Sequence, residues 1–349
     1  MTISNTNLKT TSAILKNRLS FPNRIPLWAK YLLALVPIIW IFSKIDFQGM
    51  FHVFGKIAWW TIPFLIAVII LSMFLQGVRW WMLLKAFIPT IRLSRVLNHH
   101  FSAIFYSIIL PTSAAQDIVR SVLISKENDY GISWGSTWVS RILGLLTLAI
   151  LSIYGLFLIN RYFLPKGFFL ALIIIFIALT ILFFLSFSKI FTSRTRPVIS
   201  KLIPLKALKI IEDIRQGVYV YRDKKKTLFF VFLATMFIQL LLVGSTCLVL
   251  VGISGKWFPF ECLAYVPLIE ILSLSIPLTP SGLGIREALT KLMFQQIGLS
   301  NEQLGVYIVL GLLSILLKLV GGVPVLFTLL KKSNPEKIRR NHLDPNSIQ

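Results

Sequence analysis

Residues 61–78, TIPFLIAVIILSMFLQGV, run for eighteen positions without one charged side chain. A helix needs about 20 mostly apolar residues to cross the hydrocarbon of a bilayer. Similar runs recur along the chain, and six full crossings are expected, at about 27–43, 57–78, 134–160, 167–188, 227–252 and 303–330. In lipid a helix satisfies its own backbone N–H and C=O groups, so the expected fold class is an all-α polytopic membrane protein. A hydrophobic content of 56% in 349 residues fits no ordinary soluble domain. The first 26 residues are polar and basic, without the short apolar core and small-residue cleavage site of a secretory signal, so none is expected. Cys247 and Cys262 lie in or beside apolar segments and read as small buried hydrophobes rather than as metal ligands or a disulfide framework.

The net charge of +23 invites a nucleic-acid reading, but the placement of the charges explains it otherwise. Lys9, Lys16, Arg18 and Arg24 precede the first run, and Arg79, Lys85, Arg92 and Arg95 follow the second. Residues 189–226 carry eleven Lys and Arg against Glu212, Asp213 and Asp223, and Lys331, Lys332, Lys337, Arg339 and Arg340 follow the last run. The segments 44–56, 160–166 and 253–259 are charge-poor. Basic loops stay cytoplasmic. Both termini are therefore expected inside, with a basic tail at 1–26, one transmembrane domain at 27–330 and a second tail at 331–349. The domain divides into halves, about 27–188 and 227–330, joined by 189–226. In that joining segment Leu205, Leu208, Ile211, Ile214 and Val218 recur near helical spacing, which predicts an amphipathic helix on the cytoplasmic interface or a solvated linker helix. Trp59, Trp60, Trp80 and Trp81 flank the second crossing and fit interfacial aromatic belts, and His99 and His100 read as interfacial too.

Two further apolar stretches, 96–125 and 260–297, are interrupted by Pro, Gly and charge, and each predicts a re-entrant hairpin of two half-helices. Their breaks resemble each other: LPTSAAQDIVR at 110–120 and IPLTPSGLGIR at 276–286 both place an arginine nine residues after a proline. With the expected topology the hairpins enter from opposite faces, the plan of an inverted repeat. Pro277 and Pro280 stop the first half-helix of the second hairpin, Gly282 and Gly284 permit a turn, and Ser281 is the expected cap of the next helix. Broken backbone at membrane depth needs a protein interior or a wet cavity around it. A half-helix N-terminus there, with Arg286 in its first turn, suits an anion such as phosphate. The alternative is a simple kink with Arg286 in a structural ion pair. Glu287, its immediate neighbour, is expected to face elsewhere and to pair with Lys291. The first hairpin offers a weaker copy, with Thr112 or Ser113 as cap, Gln116 as a polar contact, Asp117 pairing with Arg120, and Arg120 as the cation.

Other polar groups sit inside apolar runs, where charge is costly and usually has a use. Arg141 either snorkels to the cytoplasmic face or lines the cavity. Lys318 is too deep to snorkel, and Glu270 is its expected partner. Gln239 reads as an interhelical hydrogen bond. No nucleotide-binding loop, zinc motif or nucleophile elbow is present, so no metal or other cofactor is expected.

Three of these stretches, IPLTPSGLGIREALT, ILPTSAAQDIVRSVLIS and SWGSTWVSRILGLLTL, resemble motifs of the lysylphosphatidylglycerol synthase transmembrane region, also described as flippase-like membrane proteins. The resemblance covers about 30–330. Ala114, Ala115 and Gln116 stand where the family's early motif carries glycines, and Ser140 where an acid often precedes Arg141. The chain ends soon after its last run, so the resemblance implies the lipid-translocating part without the soluble aminoacyl-transfer domain, and places Arg286, Glu287 and Arg120 at the motif positions. The expected function is a transporter of an anionic phospholipid or polyprenyl-phosphate-linked lipid, rather than an enzyme, in the cytoplasmic (inner) membrane of a bacterium. An enzyme of lipid-linked sugar or headgroup transfer and a non-transporting accessory protein are the alternatives. The expected partners are the bilayer and an anionic lipid, not nucleic acid; homo-oligomer formation is left open.

Overall fold

The computed structural model describes residues 46–109, 114–125, 129–159, 166–187, 205–275 and 284–323, together with Ile39 and Ser43. Among the described residues all regular structure is helical. The helices are α1 (Phe47–Gly55), α2 (Thr61–Lys85), α3 (Leu93–Ile109), α4 (Ala115–Ser125), α5 (Tyr130–Leu158), α6 (Lys166–Ser186), α7 (Leu205–Tyr219), α8 (Lys225–Ser254), α9 (Pro259–Ser275), α10 (Ile285–Gln295) and α11 (Asn301–Leu317). Short 3₁₀ turns at Val220–Asp223 and Lys318–Gly321 extend α7 and α11.

Among the described residues, four helices are long and apolar enough to cross a membrane: α2, α5, α8, and α11 with its 3₁₀ turn. They have 25, 29, 30 and 21 residues. At about 1.5 Å per residue even the shortest reaches the roughly 30 Å of a hydrocarbon core. The crossing expected at 167–188 is α6, a helix of 21 residues with no charged side chain after Lys166. The one expected at 27–43 lies almost wholly outside the described residues.

Each interrupted stretch folds as a helix pair. A 17-residue helix (α3, α9) is followed by an 11-residue helix (α4, α10) that packs back on it. Eleven residues make about 16 Å, half of what a crossing needs. Most of each break lies outside the described residues, Thr112, Ser113, Pro277, Pro280, Ser281 and Gly282 among them. α4 starts at Ala115 and α10 at Ile285. The nine-residue Pro-to-Arg spacing therefore hides a register difference: Arg120 sits in the second turn of its helix and Arg286 in the first.

The bundle is centred on α5, of whose most apolar window 56% is buried, against 33% in the other three spanning helices. Small residues make this possible. Ser152 Oγ donates to the Ala264 carbonyl of α9 at 2.9 Å, and a Cβ on Gly155 would strike the same α9 backbone. On another side α7 lies against α5 with almost no side-chain spacer. A Cβ on Gly217 would overlap the Gly131 carbonyl, and one on Gly135 would sit 2.5 Å from the Gly217 carbonyl carbon. Val218 and Tyr221 are buried with Leu83, Val139, Leu143 and Val231, and the Tyr221 hydroxyl donates to the Leu83 carbonyl at 3.0 Å. Burial pushes the Tyr221 phenol up, so it remains a neutral donor. The end of α7 at Val218 thus packs on the protein. Gly217→Ala is expected to destabilise the fold by about 2 kcal/mol, because backbone rather than a yielding side chain occupies the space. A fall in the unfolding midpoint of the detergent-solubilised protein checks this.

Two interfacial expectations also change. Trp80 is fully buried, its Nε1–H donating to Ser136 Oγ at 3.0 Å, whereas Trp59 is exposed as an aromatic belt requires. His100 is fully buried as well, its Nε2 within 3.1 Å of the Met73 carbonyl oxygen. Both lie on helix faces turned to neighbouring helices, a fact that nearness to a span end conceals. Cys247 and Cys262 are free and buried, as expected.

Candidate functional site

α2, α3, α4, α5, α8, α9, α10 and α11 line a partly open cavity of about 480 Å³. Its wall mixes apolar side chains with an unusual density of charge: Arg79, Arg120, Arg141, Arg286 and Lys318 against Asp117, Glu270 and Glu287. A volume of this size is typical of small-molecule sites. Both helix pairs contribute to the same space, so elements about 170 residues apart in the chain meet there.

The charges divide into two groups. In the first, Asp117 is shared: its Oδ1 lies 2.9 Å from Arg120 Nη2 and its Oδ2 2.6 Å from Arg141 Nη1. The i,i+3 spacing on α4 brings Asp117 to Arg120, and α5 supplies Arg141 from across the gap. The Arg120 guanidinium lies over the Trp80 ring, 5.0 Å from its centroid. Arg79 of α2 donates from Nη2 to Ser140 Oγ at 2.9 Å and from Nη1 to Thr235 Oγ1 at 3.3 Å. It is close enough to Arg120 and Asp117 to be repelled by the one and attracted by the other. Among the described residues the Nε atoms of Arg79 and Arg120 are buried without an acceptor.

In the second group Arg286 faces two carboxylates, with Glu270 Oε1 3.8 Å from its Nη1 and Glu287 Oε1 3.4 Å from its Nη2. The other oxygen of Glu287 accepts the Gly284 N–H at 2.5 Å. Gly284 occupies the position before α10 at φ 81°, a left-handed conformation natural only to glycine. The carboxylate of Glu287 is therefore folded back over the helix start, which brings it to Arg286. This corrects the expectation that adjacent residues on a helix face apart. It also corrects the expected cap: Gly284 holds that position, and Ser281 precedes it outside the described residues. Lys318 lines the same cavity, but Glu270 pairs with Arg286 instead, and among the described residues no carboxylate lies within 4 Å of Lys318.

Of the residues singled out from sequence, Arg286, Glu287, Glu270, Arg120, Gln116, Arg141 and Lys318 all line this one cavity. Arg141 does so while paired with Asp117. Gln239 lines it too. Gly284 shapes the start of α10 without lining the cavity, and Ser113, Ser281 and Gly282 lie outside the described residues. Sequence reasoning missed Arg79, read as a charge beyond the membrane end, because the helix runs on to Lys85. The signal was available: Ser72, Gln76 and Arg79 fall at i, i+4 and i+7, a polar stripe on an apolar helix, and all three line the cavity.

No curated protein matches the chain. The family model described as the lysylphosphatidylglycerol synthase TM region matches residues 27–321, a span that takes in every described helix and both groups of cavity charges. With that match over most of its length, this integral membrane protein belongs to the lysylphosphatidylglycerol synthase TM region family.

Proposed function

We propose that the chain is a flippase-like transporter that moves an anionic phospholipid or polyprenyl-phosphate-linked lipid between leaflets. The observation that carries this reading is the cavity itself: five cations and three carboxylates share one space inside a bundle of apolar helices. Charge so placed is costly in lipid and calls for an occupant or a wet path. A headgroup in the cavity, with acyl chains leaving between helices into the bilayer, uses both the polar and the apolar parts of its wall. The two helix pairs act as re-entrant hairpins of an inverted repeat, N-in and C-in, and rocking of one half against the other alternates access. Arg286 is the tie within the second hairpin, since it joins Glu270 of α9 to Glu287 of α10. The test is reconstitution in liposomes with a fluorescent phospholipid and a membrane-impermeant quencher. The parent protein is expected to exchange label between leaflets, and Arg286→Ala to slow exchange by about tenfold or more, as removal of a buried charge partner implies. Equal rates for Arg286→Ala, parent and empty liposomes would overturn the reading.

A further inference from the structure

The cavity is not charged evenly. Around Arg286 and Lys318 two cations meet two carboxylates, and the N-terminal end of α10 already has the Glu287 carboxylate over it. Around Asp117 three arginines meet one carboxylate. Arg120 is 3% exposed, and its Nε, like that of Arg79, has no acceptor among the described residues. Arg79 has neutral hydroxyls as its hydrogen-bond acceptors, and the one carboxylate that attracts it, Asp117, is already paired with two other arginines. A buried guanidinium that lacks an anion is expensive, and the fork of N–H donors on arginine matches the oxygens of phosphate.

We propose that this corner, framed by Arg79, Arg120 and Arg141, is the anion subsite of the cavity and takes a phosphate group, and that Arg286 is a structural tie rather than its ligand. The inference rests on the transport reading only for the identity of the cargo. Asp117 holds Arg120 and Arg141 by one oxygen each, which leaves further N–H donors of both for the ligand. Arg79, fixed by Ser140 of α5 and Thr235 of α8, closes the third side. A phosphate diester on a lipid and a free phosphate ion present the same oxygens, so the chemistry is shared and the source is an experimental question.

The test measures binding of short-chain phosphatidylglycerol, and separately of inorganic phosphate, to the purified full chain in neutral detergent by calorimetry. Arg79→Gln and Arg141→Gln keep most of the side-chain volume at partly exposed positions. Each is expected to weaken binding roughly tenfold or more, the loss of a charge-assisted hydrogen bond, while Arg286→Gln changes it less than about twofold. Arg120→Lys retains the charge without the fork and is expected to bind more weakly than the parent at an unchanged unfolding midpoint. Binding of the lipid but not of phosphate assigns a lipid headgroup; binding of phosphate with equal affinity assigns a free anion at the same corner. Equal binding by parent, Arg79→Gln and Arg141→Gln, or a larger loss in Arg286→Gln, would overturn the subsite. Failure of the transport reading looks different: the parent binds, the arginine variants do not, and no label crosses in liposomes.

Discussion

Asp117→Ala is expected to lower the stability of the protein by about 3 kcal/mol, the low end of what removing one member of a buried ion pair costs. The reason is the arrangement around it. One carboxylate holds two arginines, at 2.9 Å and 2.6 Å, and a third arginine stands nearby with hydroxyls as its hydrogen-bond acceptors. Without Asp117 the corner contains three like charges and no anion, and Arg120, 3% exposed, meets little water. Asp117 is 21% exposed, so some of the loss is relieved by hydration and the higher end of the range is not reached. The measurement is denaturant unfolding of the purified protein in detergent, followed by tryptophan fluorescence. Asp117→Leu combined with Arg120→Leu is expected to recover most of the loss, because an apolar pair costs less than a stranded charge. A single variant within about 1 kcal/mol of the parent would show that water already neutralises the corner. An anionic detergent or lipid is expected to raise the midpoint of Asp117→Ala more than that of the parent, since it supplies the missing charge.

Much of this architecture was legible in the sequence because lipid is a strict solvent. It requires long apolar runs for crossings and penalises every exception, so exceptions point to the site. Arg141, Lys318 and Glu270 could be picked out on that ground alone, and Pro, Gly and charge together marked both helix breaks. What was not legible depends on how far a side chain reaches and on which way a helix is turned. Glu287 bends back to the start of its own helix, so its spacing from Arg286 gave the wrong direction. Arg79 stands near a span end, where charge is ordinary, and only the turn of α2 brings it inward. Trp80 was mistaken for a belt residue for the same reason. The two helix pairs look alike as strings, with matched proline and arginine, yet their arginines sit in different turns because α4 starts at Ala115 and α10 at Ile285. That register decides the charge balance. Arg286, in the first turn, meets a capping carboxylate, whereas Arg120, in the second, shares Asp117 with another arginine.

Glu287→Ala is expected to be as damaging as the loss of Asp117, by a different route. Glu287 does two things at once: one oxygen accepts the Gly284 N–H, and the other faces Arg286. Its removal leaves a buried backbone donor unsatisfied at the start of α10, worth about 1 kcal/mol for a lost cap, and weakens the charge compensation of Arg286. Glu270, at 3.8 Å, remains as the second partner and limits that part of the loss. Together these amount to about 3 kcal/mol. Glu287→Gln separates the two, since its amide oxygen can still accept the Gly284 N–H but carries no charge. It is expected to recover about 1 kcal/mol of unfolding free energy relative to alanine, while translocation in liposomes stays as low as in Glu287→Ala. Glutamine restoring full translocation would show that Glu287 serves the fold of the break alone. Glutamine no more stable than alanine would show that the cap contributes nothing, and that the charge of Arg286 fixes the position of Glu287.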